Sequence, residues 1–187
     1  TAGYVYIDAN RWPAADGTAG QTLVTDGSGN LSWSTGGGGK VLQVVQAVKT
    51  DTFSTSSTSF VDITGMSVSI TPSSSSSKVL VLVDIKFNSG GNTAQTVLVR
   101  GSTQIYIGDA AGSRTRASAM DRTNETTSNG SGTIMFLDSP NTTSSTTYKI
   151  QGLTNAGTFY VNRSALDTDA ASASRTASSI TLMEIGA

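Results

Sequence analysis

The chain has 187 residues, of which 13 are acidic and 12 basic, so its net charge is −1, and it contains neither cysteine nor histidine. Scattered, nearly balanced charge argues against nucleic acid or an anionic membrane as a partner held by bulk charge. Without cysteine and histidine the chain has no disulfide, no thiolate metal site and no histidine base. No apolar run reaches the length of a membrane span, so we expect no membrane insertion.

The composition predicts an all-β protein. Serine and threonine number 28 each, beside 20 glycines and only two glutamates. Threonine favours strands and serine and glycine favour turns, whereas glutamate, a good helix former, is rare. The length allows one medium domain with an appendage.

The N-terminal segment is rich in aromatic residues and turns. Residues 3–8 alternate aromatic and aliphatic side chains, which predicts a strand with two apolar faces. Asp-Gly turns follow at 16–17 and 26–27, with short β segments at 22–25 and 31–33. So short a segment cannot bury its large side chains alone, so we expect it to pack on copies of itself as a fibre shaft over residues 1–35. The packing candidates are Tyr4, Tyr6, Trp12, Leu23, Leu31 and Trp33.

Residues 26–30 alternate oxygen-bearing side chains, as does the first half of a calcium loop. The twelfth position of such a loop needs a glutamate, and here it is Gly37. We therefore expect a plain turn and no metal.

Residues 12–33 match the pattern W-P-x-x-D-G-x-x-G-Q-x-L-x-T-D-G-x-G-x-L-x-W at every fixed position. This pattern resembles a module of bacteriophage tail fibres. The resemblance implies a virion protein, assembled in the host cytoplasm, that meets other virion proteins through its N-terminal side. Because the chain begins at Thr1 and not at a methionine, we expect it to be the C-terminal part of a longer protein.

Four glycines at 36–39 predict a flexible hinge and a domain boundary. Strands are then predicted at 41–50, at 60–71 with a bend at Gly65, and at 78–87. On the last of these, one face is wholly apolar, while the other passes from Leu80 and Leu82 to Asp84 and Lys86. Part of that second face is therefore expected to be covered by another subunit.

The remainder of the chain predicts further short strands, at 95–100, 103–107, 133–138, 146–151, 158–162 and 178–185. Two long polar loops, 108–132 and 163–177, interrupt them. Eight or nine short strands without helical periodicity indicate a sandwich or jelly roll. If 95–107 is one strand, loops 51–58, 88–94, 139–145 and 163–177 lie away from the shaft; a true hairpin at Gly101-Ser102 moves every later loop to the opposite end.

A second resemblance covers residues 40–187. It rests on the order of the segments 60–66, 77–81 and 136–140, then Tyr148, then 178–185. This order resembles the terminal domain of marine-phage, cyanophage-type fibre proteins, which is similar to the trimeric jelly rolls of the tumour-necrosis-factor and complement type. The resemblance implies an antiparallel jelly-roll knob that forms a homotrimer and recognises a host surface polysaccharide or outer-membrane protein.

We expect binding and not catalysis, with no cofactor. The acid pairs Asp109 with Asp121 and Asp167 with Asp169 lack an apolar frame that would raise one pKa, as a glycosidase requires. The alternatives left open are a purely structural head fibre or decoration protein and, third, a capsule depolymerase. Because polar loops on a rigid scaffold commonly carry recognition, the candidate receptor contacts are Arg114, Arg116, Asp121, Arg122, Asn124, Glu125, Asp167, Asp169 and Arg175.

Overall fold

The computed structural model describes residues 6–7, 9–35, 40–122 and 126–186. Every regular element in these residues is a β-strand, which confirms the all-β prediction. The chain divides into two compact units, one ending at Lys40 and the other running from Val41 to Gly186. The predicted hinge at 36–39 lies outside the described residues, as do Tyr4, Asn124 and Glu125.

The described part of the N-terminal unit contains two antiparallel strand pairs. Its strands are β1 (Tyr6–Ile7), β2 (Asn10–Arg11), β3 (Thr22–Thr25) and β4 (Leu31–Ser34). Most of the strand predicted at 3–8 lies outside the described residues. The two predicted segments at 22–25 and 31–33 pair with each other, and Leu23 lies opposite Trp33.

In the turn between β3 and β4, both carboxylate oxygens of Asp26 accept hydrogen bonds. One oxygen accepts hydrogen bonds from the backbone N–H groups of Ser28 (2.8 Å) and Asn30 (3.1 Å), and the other accepts from the Asn30 amide (2.6 Å). The Asn30 amide, aided by these N–H groups, lowers the pKa of Asp26. Gly27 and Gly29 adopt positive φ, as the turn requires. The segment is therefore a hydrogen-bonded turn, as the sequence predicted.

Trp33 connects the two turns of the module. Its indole Nε1 donates to the backbone oxygen of Ala15 at 2.8 Å. A Cβ built on Gly17 would lie only 2.6 Å from the indole ring, so the ring lies directly on that glycine. The Trp33 side chain is nevertheless 36% exposed, and Trp12 is half-buried.

The described residues of the second unit form eleven strands: β5 (Val41–Lys49), β6 (Phe53–Thr55), β7 (Val61–Ile70), β8 (Lys78–Asn88), β9 (Ala94–Arg100), β10 (Thr103–Ile105), β11 (Ala119–Asp121), β12 (Gly130–Asp138), β13 (Thr146–Thr154), β14 (Phe159–Val161) and β15 (Ser178–Ile185). The sequence did not predict β6 or β11, because Phe53–Thr55 and Ala119–Asp121 lie in polar stretches and show no alternation of apolar and polar side chains. It also started β12 three residues too late, because Gly130, Ser131 and Gly132 read as loop residues.

The strands form two antiparallel sheets. In the first sheet, β15 and β12 pair with the same stretch of β8 and so occupy its two edges, and β5 pairs with β15. The short strand β14 pairs with the end of β8 that β15 does not reach, on the same edge, and β6 pairs with β14. In the second sheet the order is β7-β13-β9, and β10 and β11 share the remaining edge of β9.

Long strands alternate between the sheets along the chain. The resulting order, β5-β15-β8-β12 in one sheet and β7-β13-β9-β10 in the other, is the double Greek key of a jelly roll. The predicted antiparallel jelly-roll sandwich is thus confirmed. Side chains from both sheets meet in one core; its fully buried members include Met66, Val81, Ile85, Phe87, Leu98, Ile134, Ile150, Phe159 and Leu182.

Gly65 interrupts the pairing of β7 with β13. The register changes between Lys149 and Gln151, where four residues of β7 lie opposite one residue of β13, and Gly65 has a φ of 86°. The bend predicted at this glycine is a β-bulge.

The hairpin at Gly101-Ser102 is real, because Thr103 pairs with Arg100 and Gly101 has positive φ. The alternative of a single strand over 95–107 is wrong. Loops 71–77 and 139–145 lie at the end of the sandwich where β5 begins. Loop 139–145 is therefore at the end that the hairpin predicts, opposite to the end that a single strand over 95–107 would give it. The opposite end, called the loop end below, carries loops 50–52, 56–60, 89–93, 126–129, 155–158 and 162–177. The expectation that the hairpin moves loop 163–177 to the other end is therefore wrong, because β14 is only three residues long and does not carry the chain across the sheet.

Buried polar groups join the two sheets near the Val41 end. Asp138 of β12 accepts hydrogen bonds from Arg100 of β9 on both carboxylate oxygens, each at 2.8 Å, and from the Tyr148 hydroxyl of β13 at 2.5 Å. Burial, together with the neighbouring carboxylate, raises the pKa of Tyr148, so its hydroxyl remains a donor. This cluster ties the first sheet to the second.

Glu184 of β15 is also buried. Its carboxylate accepts from the Gln43 amide (2.6 Å) and from the backbone N–H (2.7 Å) and hydroxyl (2.6 Å) of Ser73. Burial opposes ionisation, but these hydrogen bonds outweigh it and lower the pKa of Glu184 to about 2. Loop 71–77 is therefore held to the first sheet by an ionised carboxylate.

Candidate functional site

The two loops predicted to carry recognition meet at the loop end. The backbone N–H of Leu166 donates to the Thr126 oxygen at 3.0 Å, and the Asn129 amide donates to the Thr176 hydroxyl at 3.4 Å. Residues 126–129 and 162–177 therefore form one continuous polar surface. Sequence reasoning named both loops but had no signal for this contact.

Asn162 fixes the position of loop 162–177. This fully buried residue adopts positive φ, and its amide donates to the backbone oxygens of Lys49 (2.8 Å) and Asp51 (3.0 Å). Its side-chain oxygen accepts from the Ser178 hydroxyl at 2.6 Å. The loop thus begins and ends on a satisfied polar cluster, which holds it on the rigid sandwich.

Asp167 organises the interior of the same loop. Its carboxylate forms ion pairs with Arg163 (3.0 Å) and Arg175 (2.5 Å), and the Arg163 guanidinium also stacks on the Tyr160 ring at 4.5 Å. Two of the predicted contact residues, Asp167 and Arg175, are therefore brought together, but they bind each other. Asp169 is exposed.

A pocket of about 330 Å³ opens between the loops of the loop end. Its lining is mostly small and polar, with one aromatic and two aliphatic side chains: Ser89, Asn92, Thr126, Thr158, Tyr160, Ala165 and Leu166. Leu166 is 61% exposed, and the buried Ser89 hydroxyl has no hydrogen-bond partner among the described residues. Hydroxyl and amide groups beside an aromatic ring suit a polar ligand with apolar faces, such as a sugar.

The segment between β10 and β11 forms a second concave surface beside β9. Gly108 and Ala117 close its neck through a backbone hydrogen bond of 3.4 Å, and the Arg116 Nε donates to the Gly108 oxygen at 2.6 Å. Ser118 anchors the segment to β9, because its hydroxyl accepts from the Leu98 N–H at 2.9 Å. The groove, called the edge groove below, has a volume of about 560 Å³.

The arginines predicted in loop 108–132 do not all lie at one site. Arg114 and Arg116 both line the edge groove. Asp121 is half-buried in β11 opposite Ala94, and Arg122 is exposed immediately after it. Asn124 and Glu125 lie outside the described residues, so their positions are not assigned.

The outer face of the first sheet carries an apolar strip. Val44, Met183, Leu80 and Leu137 lie in one row across its four strands, and Leu82 and Met135 add to the next row. Met135 is 68% and Leu137 is 47% exposed. Further along the same face the side chains become polar, at Asp84 and Lys86, as predicted from β8 alone.

Several residues of these surfaces were missed from the sequence. Tyr160 and Arg163 gave no signal, because their stacking depends on the loop geometry. The exposed face of β12 could have been found, because residues 134–137 are all apolar and a strand apolar on both faces indicates a second covered face.

Comparison with known proteins found no match for the chain, either among protein-family models or among curated proteins. Within the part of the chain that the structure describes, no helix is long and apolar enough to cross a membrane. The same residues contain no group of three or more acidic side chains placed to hold a metal ion.

Proposed function

We propose that the chain is part of a phage virion fibre, whose jelly-roll knob forms a homotrimer and binds the host cell surface. The observation that supports it best is the loop end, where the long polar loop 162–177 contacts residues 126–129 and is anchored on a rigid sandwich. Such a surface can change its sequence without disturbing the core, which is the property that recognition requires.

The apolar strip supports the trimer. Six apolar side chains of the first sheet's outer face lie in adjoining rows, and those of β5 and β12 are about half exposed or more. Covering a large apolar side chain stabilises an interface by roughly 1.5–3 kcal/mol at full burial, so partial burial of this strip in each of three subunits offsets a sizeable cost of association. The polar far end of the same face limits the contact to the Val41 half.

Trimerisation also serves recognition. Three knobs on one fibre, repeated over many fibres, raise the effective concentration of weak sites, so a shallow pocket for a glycan suffices. The N-terminal unit, with its module resembling those of tail fibres, would lead towards other virion proteins.

A paired substitution tests the trimer face. Leu137→Lys places a charge in the apolar strip, whereas Thr133→Lys places the same charge at the polar end of the same face of β12. Sedimentation velocity at micromolar concentration should show that the first variant dissociates and the second does not. Equal behaviour of the two variants would contradict the proposed interface.

Cell adsorption tests the receptor role. The fluorescently labelled chain is incubated with a panel of marine bacterial and cyanobacterial strains, and binding is measured by flow cytometry. We expect saturable binding to a subset of strains, lost when residues 165–174 are replaced by a short Gly-Ser turn that keeps Asn162, Ser164 and Thr176. A trimer that adsorbs to no strain would favour a structural head fibre or decoration protein, and release of reducing sugar from capsule would favour a depolymerase.

A further inference from the structure

We propose that the edge groove beside β9 and β11 is a subsite for an acidic saccharide residue, a sugar bearing a carboxylate. This inference rests on the proposed host-surface binding and names the chemistry of one part of it. The edge groove is lined by parts of β9, of the segment between β10 and β11, and of β11 itself.

The groove contains two guanidinium groups that form no ion pair among the described residues. Arg114 and Arg116 both line it, and no ion pair joins either of them to an acidic group among the described residues. This differs from loop 162–177, where Asp167 engages both Arg163 and Arg175. A guanidinium presents parallel N–H donors that fit a carboxylate with two hydrogen bonds, so this groove is suited to an anion.

The arginines are partly preorganised. The Nε of Arg116 is held by the Gly108 oxygen at 2.6 Å, which leaves its terminal nitrogens for other partners. Arg114 makes a long hydrogen bond of 3.3 Å to the Ala111 oxygen within its own turn. Because the segment is tied to β9 through Ser118, both side chains project from an anchored loop.

The acceptors in the groove fit hydroxyl groups. Asp109 lines it and is exposed, and the side-chain oxygen of Gln95 is buried there without any hydrogen-bond partner among the described residues. A carboxylate and an amide oxygen accept hydrogen bonds from sugar hydroxyls, whereas an inorganic anion has no such donors to offer. The exposed Asp109 carboxylate beside the two arginines therefore favours a sugar acid over a simple anion.

Apolar surface completes the site. Met120 lines the groove with its side chain 65% exposed, next to Ala117 and Ala119. A sugar ring has C–H faces as well as hydroxyls, and these can pack on a thioether side chain. Two cations, an exposed carboxylate acceptor and an apolar surface together match one acidic hexose unit within a groove of about 560 Å³.

The test uses the full chain and trigalacturonic acid as the probe, with the neutral methyl ester of the same trisaccharide as the comparison. Binding is measured by NMR titration, because affinities of single subsites are weak. We expect the acid to bind and the ester to bind at least tenfold more weakly, since the guanidinium contacts require the carboxylate. Equal binding of acid and ester, or no binding of either, would overturn the proposal.

Three variants assign the effect to the groove. Arg114→Gln should weaken binding of the acid by about 10- to 100-fold, the usual effect of losing a charged hydrogen bond. Lys149→Gln, which removes a positive charge from the outer face of the same sheet, should leave it unchanged. Asp109→Asn should weaken binding of the ester more than binding of the acid, because it also removes a negative charge that repels the carboxylate of the acid. Loss of binding in Lys149→Gln equal to that in Arg114→Gln would show general charge attraction and overturn the subsite.

Cell adsorption separates this inference from the proposed function. If the wild-type chain adsorbs to cells and Arg114→Gln adsorbs equally, the groove is not the receptor subsite while host binding stands. If the wild-type chain binds the acidic trisaccharide but adsorbs to no strain, the groove chemistry holds and the receptor role fails.

Discussion

Replacing Asp138 by asparagine should destabilise the knob strongly, because this carboxylate joins the two sheets. Asp138 is 5% exposed and accepts three hydrogen bonds, two from Arg100 and one from Tyr148. Asparagine removes the negative charge and turns one acceptor into a donor that faces the guanidinium. Breaking a buried ion pair typically costs about 3–5 kcal/mol, and since the Arg100 side chain is 30% exposed we expect about 3 kcal/mol.

The matched control is Asp62→Asn. Asp62 also pairs with a basic residue of a neighbouring strand, Lys149 at 2.8 Å, but its side chain is 56% exposed. Exposed pairs contribute little because water screens them, so we expect a loss below about 1 kcal/mol.

Urea unfolding at one fixed protein concentration measures both variants. Far-UV circular dichroism is the suitable probe, because both tryptophans, Trp12 and Trp33, lie in the N-terminal unit and do not report on the knob. The midpoint of the knob transition should fall for Asp138→Asn with an unchanged slope, and barely move for Asp62→Asn. Similar shifts in the two variants would refute the view that burial, and not ion pairing itself, makes the contribution of Asp138 to the stability of the knob large.

Two further predictions concern other parts of the fold. The pKa of Glu184 is depressed to about 2 from 4.5, so its ionised form stabilises the knob above pH 4.5 and this contribution is lost as the pH falls towards 2. The wild type should lose about 1–3 kcal/mol more than Glu184→Gln over that range in acid titrations of urea stability, and parallel titration curves would contradict the linkage. In the N-terminal unit, Gly17→Ala should displace the Trp33 ring, because its Cβ would lie 2.6 Å from the indole. The tryptophan emission should shift to the red while the knob transition stays in place; a shift of the knob transition would show that the two units are coupled.

Much of the fold followed from alternation of side chains. Residues 78–87 alternate so regularly that the central strand β8 and its buried face were predicted within one residue. The wholly apolar stretch 134–137 marked β12, and the Gly101-Ser102 pair marked the real hairpin. These features are local, so a single sequence carries them.

The features that were missed depend on contacts between distant residues. Strand β11 is only three residues long and exists because it pairs with the edge of β9. The pairing of Asp167 with Arg163 and Arg175, and the anchoring of loop 162–177 by Asn162, depend on a loop conformation that no pattern encodes. Composition identified which loops were polar, but not that Asp167 pairs with both Arg163 and Arg175 while Arg114 and Arg116 form no ion pair among the described residues.

The strip formed by Val44, Met183, Leu80 and Leu137 is the basis of the proposed assembly, and the mass of the chain in solution tests it most directly. Multi-angle light scattering of the purified chain at micromolar concentration should give three times the chain mass of 19.2 kDa. A mass of a single chain under these conditions would contradict the trimeric knob.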